Sequence, residues 1–116
     1  MRPVDHYPVV VKTEDLVVWL LEHTSRFPRV HRGGLTARIE ACSVDLLAYL
    51  AKAAGNSHRR NEWLCAASEE LDTLRILVRL SVRLRFLSQR QYGFFAEASD
   101  EIGRMLGGWL KTAPTS

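Results

Sequence analysis

The sequence lacks most of what small catalytic and metal-binding domains are built from. It has two cysteines, Cys42 and Cys65, each among small and apolar neighbours, with no Cys-x-x-Cys pair and no zinc-site spacing. They read as buried free thiols in a reducing compartment. Of the four histidines, His6, His23, His31 and His58, no two have metal-ligand spacing on a helix, and His-Glu-x-x-His is absent. There is no Walker loop, no Gly-x-Gly-x-x-Gly and no Gly-x-Ser-x-Gly elbow. The acidic pairs Glu14-Asp15, Glu69-Glu70 and Asp100-Glu101 are sequence neighbours, whose side chains diverge by about 100° on a helix and form no dyad. The Glu-x-x-His motifs of ferritin-like di-iron bundles are missing too. These absences predict a non-enzymatic chain without metal or cofactor. No apolar run approaches the roughly 20 residues that cross a membrane, and the stretch MRPVDHYPVVVK does not read as a signal peptide. A cytoplasmic protein with no membrane partner is expected.

Proline is scarce as well, and three of the four (Pro3, Pro8 and Pro114) lie near the ends, which leaves room for long helices. The 116 residues, 47% hydrophobic and 25% charged, suit one globular domain over residues 1–116. A chain of this size buries roughly 65% of its unfolded surface and needs no disulfide or metal to fold.

Four amphipathic segments fill the chain. The first, about 10–26, carries Leu16, Val17, Leu20 and Leu21 on one stripe, with Pro28 beyond its end and Gly33-Gly34 before the next. The second, about 35–54, places Leu35, Ile39, Cys42, Leu46, Tyr49 and Ala53 on a heptad seam and stops at Gly55-Asn56. The third, about 61–87, opens on Asn61 as N-cap, after the basic turn His58-Arg59-Arg60. The fourth, about 89–111, starts behind a Ser88-x-x-Gln91 capping box and aligns Tyr92, Phe95, Ser99, Ile102, Leu106 and Trp109. The tail Thr112–Ser116 reads as loose. With no strand pattern and short connections, the expected fold is all-α, an antiparallel up-down-up-down four-helix bundle.

The third segment has more apolar surface than one bundle requires. At about 100° per residue, Leu71, Leu74, Val78 and Val82 form one seam, and Leu77, Leu80, Leu84 and Leu87 form a second on a different face. Either another subunit or a partner covers the second seam, or this helix is central to its own bundle and buried on both sides. Between the seams, Arg75, Arg79 and Arg83 share an arc of about 80°, which Arg90 joins if the helix runs that far. With Arg85, the chain places five arginines and no acid between Asp72 and Glu97. Such a stripe is either a solvated face paired with Glu69, Glu70 and Asp72 or a concentrated positive potential suited to nucleic acid. Of the 16 basic residues, 13 are arginine, the side chain that grips phosphate with two parallel N–H groups. Gly103 and Gly107 form a Gly-x-x-x-Gly pair in the fourth helix; Arg104 between them excludes a membrane dimer and leaves close approach of another helix.

Three stretches together resemble the accessory variability determinant proteins of diversity-generating retroelements. They are Arg26-Phe27-Pro28-Arg29-Val30-His31-Arg32 with Leu35-Thr36-Ala37-Arg38-Ile39-Glu40, then Leu71 to Leu80, and then Leu87 to Tyr92 with Glu101 to Lys111. The resemblance covers about residues 10–111 and is most specific in its last stretch. It implies a four-helix bundle assembled as a homopentameric ring, with no catalytic residues of its own. Such proteins partner the element's reverse transcriptase, bind RNA or DNA through a basic surface, and support mutagenic cDNA synthesis. Carried to this chain, the binding candidates are Arg29, Arg32, Arg38, Arg75, Arg79, Arg83, Arg90 and Arg104, and the interface candidates are Leu77, Leu80, Leu84, Leu87, Gly103 and Gly107. A related bundle family from insertions in ribosomal RNA genes shares the Phe-Pro-Arg region. Its Asn-Ile-Ala-Glu stretch is replaced here by Leu47-Ala48-Tyr49-Leu50, which favours the retroelement resemblance. A purely structural oligomer of that second type, with a scaffold or RNA-related role, is the alternative.

Overall fold

The computed structural model describes residues 7–112; His6 and all of the polar tail after Thr112 lie outside the described residues. Four helices account for nearly all of it: α1 (Pro8–Thr24), α2 (Leu35–Gly55), α3 (Arg60–Arg83) and α4 (Gln89–Thr112), with a short 3-10 turn at Arg29–His31 between α1 and α2. No strand occurs among the described residues. Each of α1 and α3 packs on both α2 and α4, and α1 does not touch α3, so the helices stand at the corners of a square.

The ends of the helices follow from local chemistry. α1 starts two residues earlier than its apolar stripe suggests, because Pro8 fits the first helical position, where no N–H is needed. It ends at Thr24 rather than Arg26, where Arg26 and Phe27 N–H groups turn back to the His23 and Thr24 carbonyls ahead of Pro28. The start of α3 also differs from expectation. Asn61 is inside the first turn, and the N-cap position falls to Arg59 without a side-chain cap. Asn56 Oδ1 accepts the His58 N–H at 3.0 Å in the turn ahead of α3, and the Arg60 Nε donates to the Ala53 carbonyl at 2.8 Å and closes the end of α2.

The decisive departure is at the end of α3, which stops at Arg83 instead of reaching Leu87. The Phe86 N–H bonds the Ser81 carbonyl at 2.8 Å and the Arg85 N–H bonds the Val82 carbonyl at 2.9 Å, the paired bonds of a Schellman stop. That stop needs a left-handed residue, and Arg85 supplies it at φ 66°. Glycine is the usual occupant, since a side chain there costs about 1 kcal/mol or more. Arg85→Gly is therefore expected to raise stability by about 1 kcal/mol in a denaturant titration. Beyond the turn, the Ser88-Gln91 box forms as expected: Ser88 Oγ accepts the Gln91 N–H at 3.0 Å, and Gln91 Oε1 accepts the Ser88 N–H at 2.8 Å.

The core joins the four inward stripes. Leu16, Leu20, Ile39, Leu46, Leu50, Leu64, Leu74, Val78, Phe95, Ile102 and Leu106 are all essentially sealed from solvent. Leu21, expected on the inner stripe of α1, is exposed instead. Small hydroxyls fill the narrow places and satisfy themselves locally: Thr13 donates to the Val9 carbonyl at 2.7 Å, Ser43 to Glu40 at 3.0 Å and Ser99 to Ala96 at 3.1 Å.

The two cysteines part company. Cys42 is buried, and its thiol donates to the Glu70 carbonyl at 3.3 Å. Burial first, then the hydrogen bond and charge of Glu70, push its pKa up from 9.0 to about 12. Cys65 is exposed, against the expectation from its apolar neighbours, because Leu64 beside it takes the core direction and Cys65 points about 100° away. Above pH 9 the unfolded chain releases the Cys42 proton while the folded chain holds it. Stability is thus full below that pH and falls as pH rises toward 12. Thermal melts across this window should show a shallower decline for Cys42→Ala than for the unmodified protein, after a uniform packing loss of about 1 kcal/mol.

Candidate nucleic-acid interface

The α1–α2 connection and the α3–α4 turn meet at one end of the protein. Two aromatic contacts hold them there. The Phe86 ring in the α3–α4 turn lies 5.3 Å from Phe27 and 5.0 Å from His31, on either side of Pro28. The Thr24 hydroxyl donates to Glu40 Oε2 at 2.8 Å and ties the last turn of α1 to α2. Two turns that are distant in sequence are thereby placed side by side.

This end concentrates the net positive charge. Residues 21–40 and 79–93 contain Arg26, Arg29, Arg32, Arg38, Arg79, Arg83, Arg85 and Arg90 against only Glu22 and Glu40. That is a formal +6 in a chain whose total is +3, so all other residues together carry −3. All eight arginines are exposed, and among the described residues none of them makes an ion pair. At the α3–α4 turn Arg83, Arg85, Phe86, Ser88, Gln89 and Gln91 line an open pocket of about 500 Å³. The N-terminus of α4 begins in its wall and adds the positive end of a helix dipole.

The arginine candidates therefore separate into two groups. Arg29, Arg32, Arg38, Arg79, Arg83 and Arg90 belong to the free basic end, though Arg90 reaches it from α4, not as a continuation of the α3 stripe. Arg75 does not belong there. Its guanidinium donates to the Ser99 carbonyl at 3.0 Å and pairs with Asp100 at 3.5 Å and Asp72 at 3.6 Å. Arg104 is exposed, but it borders a groove shared with Arg75, Asp72 and Asp100, away from the α1–α2 and α3–α4 turns. Arg26 and Arg85 are additions to the sequence-derived set. Arg26 lies within the Phe-Pro-Arg stretch, where nothing local assigns it a role, and the position of Arg85 follows only once the helix stop is known.

The interface candidates separate as well. On α3, Leu71, Leu74 and Val78 face the core, whereas Leu80 is 44% and Leu84 48% exposed. The reading in which the helix is buried on both sides within its own chain is thus excluded by those two side chains. Leu77 is half-buried. Leu87 belongs elsewhere: past the Schellman stop it turns inward and is only 5% exposed. Gly103 has a local role, since a Cβ there would meet Arg75 Nη2 at 2.8 Å; the missing side chain makes room for that guanidinium. Gly107 faces open space, with nothing within 4 Å of a Cβ.

Among the described residues, no three His, Cys, Asp or Glu side chains gather as a metal site, and no helix is long and apolar enough to cross a membrane. No curated protein matches the sequence. A family model described as bAvd-like matches residues 9–113, almost the entire chain and all four helices with the basic end they form. The chain belongs to the bAvd-like family.

Proposed function

We propose that this protein is a non-catalytic accessory of a diversity-generating retroelement, which binds the element's reverse transcriptase and its nucleic acid and supports mutagenic cDNA synthesis. The observation that carries this reading is the basic end: eight exposed arginines, from the α1–α2 connection and both sides of the α3–α4 turn, without an acidic partner among the described residues. A scaffold that used its arginines for internal pairing would engage them as Arg75 is engaged. Free guanidinium groups grouped on one surface suit a phosphate backbone, and contacts of that kind position a nucleic acid without reading its sequence.

The chain is proposed to fold as one antiparallel up-down-up-down domain and to assemble as a cytoplasmic homopentameric ring. Antiparallel packing is supported by Tyr7 at the start of α1 stacking on Trp109 near the end of α4, at 4.6 Å, while Trp19 late in α1 stacks on Phe94 early in α4, at 5.0 Å. Assembly is supported by the exposed leucines of α3, since soluble monomers keep such apolar ridges covered. The test is co-purification with the reverse transcriptase encoded beside it. The reading predicts that the polymerase and its RNA are retained on the tagged protein at moderate salt. Retention of neither polymerase nor RNA, from a protein that is folded by circular dichroism, would reject it.

A further inference from the structure

Two exposed faces of the bundle are complementary in both apolar character and charge. The first is a ridge on α3: Ile76, Leu80 and Leu84 are 61%, 44% and 48% exposed and repeat every four residues, a row about 12 Å long. Arg79 and Arg83 run along its edge, four residues apart, with no ion pair among the described residues. The second is the face of α1 and α4. Phe94 on α4 is 53% exposed despite its stacking on Trp19. Between the two helices runs a groove of about 330 Å³ lined by Lys12, Asp15, Leu16, Phe94, Glu97 and Glu101 among others. Glu101 is engaged by Lys12 at 3.1 Å, but Asp15 and Glu97 have no cation among the described residues.

Each face thus has what the other is missing. The ridge offers aliphatic side chains with two unpaired cations, and the groove offers an exposed aromatic ring with two carboxylates that have no ion pair among the described residues. They cannot meet within one chain, because α1 and α3 stand at opposite corners of the square. We infer that the occupant of the α1–α4 groove is the α3 ridge of a second copy, with Arg79 and Arg83 of one protomer against Asp15 and Glu97 of the next. This deepens the ring reading proposed above and rests on it. The contact is head-to-tail: each copy presents one ridge and one groove, so every copy can be engaged on two sides and the set can close as a ring. The inference divides the arginines by task. Arg79 and Arg83 hold the neighbour, leaving Arg29, Arg32, Arg85 and Arg90 at the exposed end for nucleic acid.

Charge reversal tests this directly, read by light scattering at low micromolar concentration. Arg79→Glu with Arg83→Glu disables the ridge, and Asp15→Arg with Glu97→Arg disables the groove. Each variant alone is expected at the mass of one chain, 13.2 kDa. In an equimolar mixture the native ridge of one variant fits the native groove of the other, and the reversed ridge fits the reversed groove, so alternating assemblies of the two variants, dimers and larger, are expected. All four changes in one chain reverse both partners and are expected to restore the larger assembly. Should a reversal unfold the chain, Leu80→Ala and Phe94→Ala replace it, each expected to weaken assembly at least tenfold. Unmodified protein at 13.2 kDa would reject the ring itself. An assembly that withstands every one of these changes, or variants that dissociate but neither pair in the mixture nor recover when combined, would overturn the ridge-in-groove contact while leaving a ring built on other faces.

Discussion

Replacing Arg29, Arg32, Arg85 and Arg90 together by alanine is expected to lower nucleic-acid affinity by roughly a hundredfold near physiological salt, about 2.8 kcal/mol, with the bundle intact. The four side chains come from two turns that Phe86 holds against Phe27 and His31, and none is paired within the described residues. Their contribution is mostly release of counterions from phosphate, so the salt dependence must change with the affinity. Each phosphate no longer neutralised flattens the log–log slope by about 0.9 on duplex DNA or about 0.7 on a single strand. The total change in slope scales with how many subunits engage one strand. Fluorescence anisotropy from low to moderate salt measures both quantities. A variant with lower affinity and an unchanged slope would place the phosphate-binding groups elsewhere. Arg85 gives a sharper version of the same point: Arg85→Gly removes a charge and relieves a left-handed backbone, so affinity and stability should move in opposite directions.

The second large effect separates the two seams of α3. Leu74→Ala opens a cavity at a completely buried position and is expected to cost about 2–5 kcal/mol, on the order of 10 °C in melting temperature. Leu80→Ala removes a side chain that is 44% exposed, and its cost to the isolated fold should stay below about 1 kcal/mol. Assembly stabilises the folded state by mass action, so the comparison belongs at protein concentrations where the chains are dissociated. There the two variants should differ by several degrees. Equal losses from both substitutions would mean that Leu80 is a core residue after all.

Much of the fold is legible in the residues, and the failures have physical causes. The heptad seams of α2 and α4 predict the buried faces because one wide apolar stripe per helix leaves little choice. The capping box at Ser88 is equally plain. It also implies an earlier end to α3, since a helix that restarts at Gln89 needs residues before it to turn. What conceals the stop is Arg85, an arginine where a Schellman turn ordinarily has glycine. That one position assigns Leu87 to an outer seam. Asn61 suits a cap by residue type alone, while Asn56, ahead of it, holds the turn between α2 and α3 and leaves α3 to start at Arg60 without a side-chain cap. For the candidate site, the arginine stripe is visible as a run without acids. Its union with Arg29 and Arg32 is not, because it depends on aromatic packing between turns that are far apart in the chain. Arg75 shows the same limit from the other side: its partners Ser99 and Asp100 are on α4, out of reach of any local pattern.

The central claim is that this chain supports a polymerase by contributing binding, not chemistry. The most direct measurement is cDNA synthesis by the neighbouring reverse transcriptase on its own template RNA, with the protein absent, present, or present as the Arg29, Arg32, Arg85 and Arg90 quadruple alanine variant. The account predicts templated cDNA only with the unmodified protein, and little or none with a variant that keeps its fold and its assembly. Equal cDNA yield and error rate in all three reactions would contradict it.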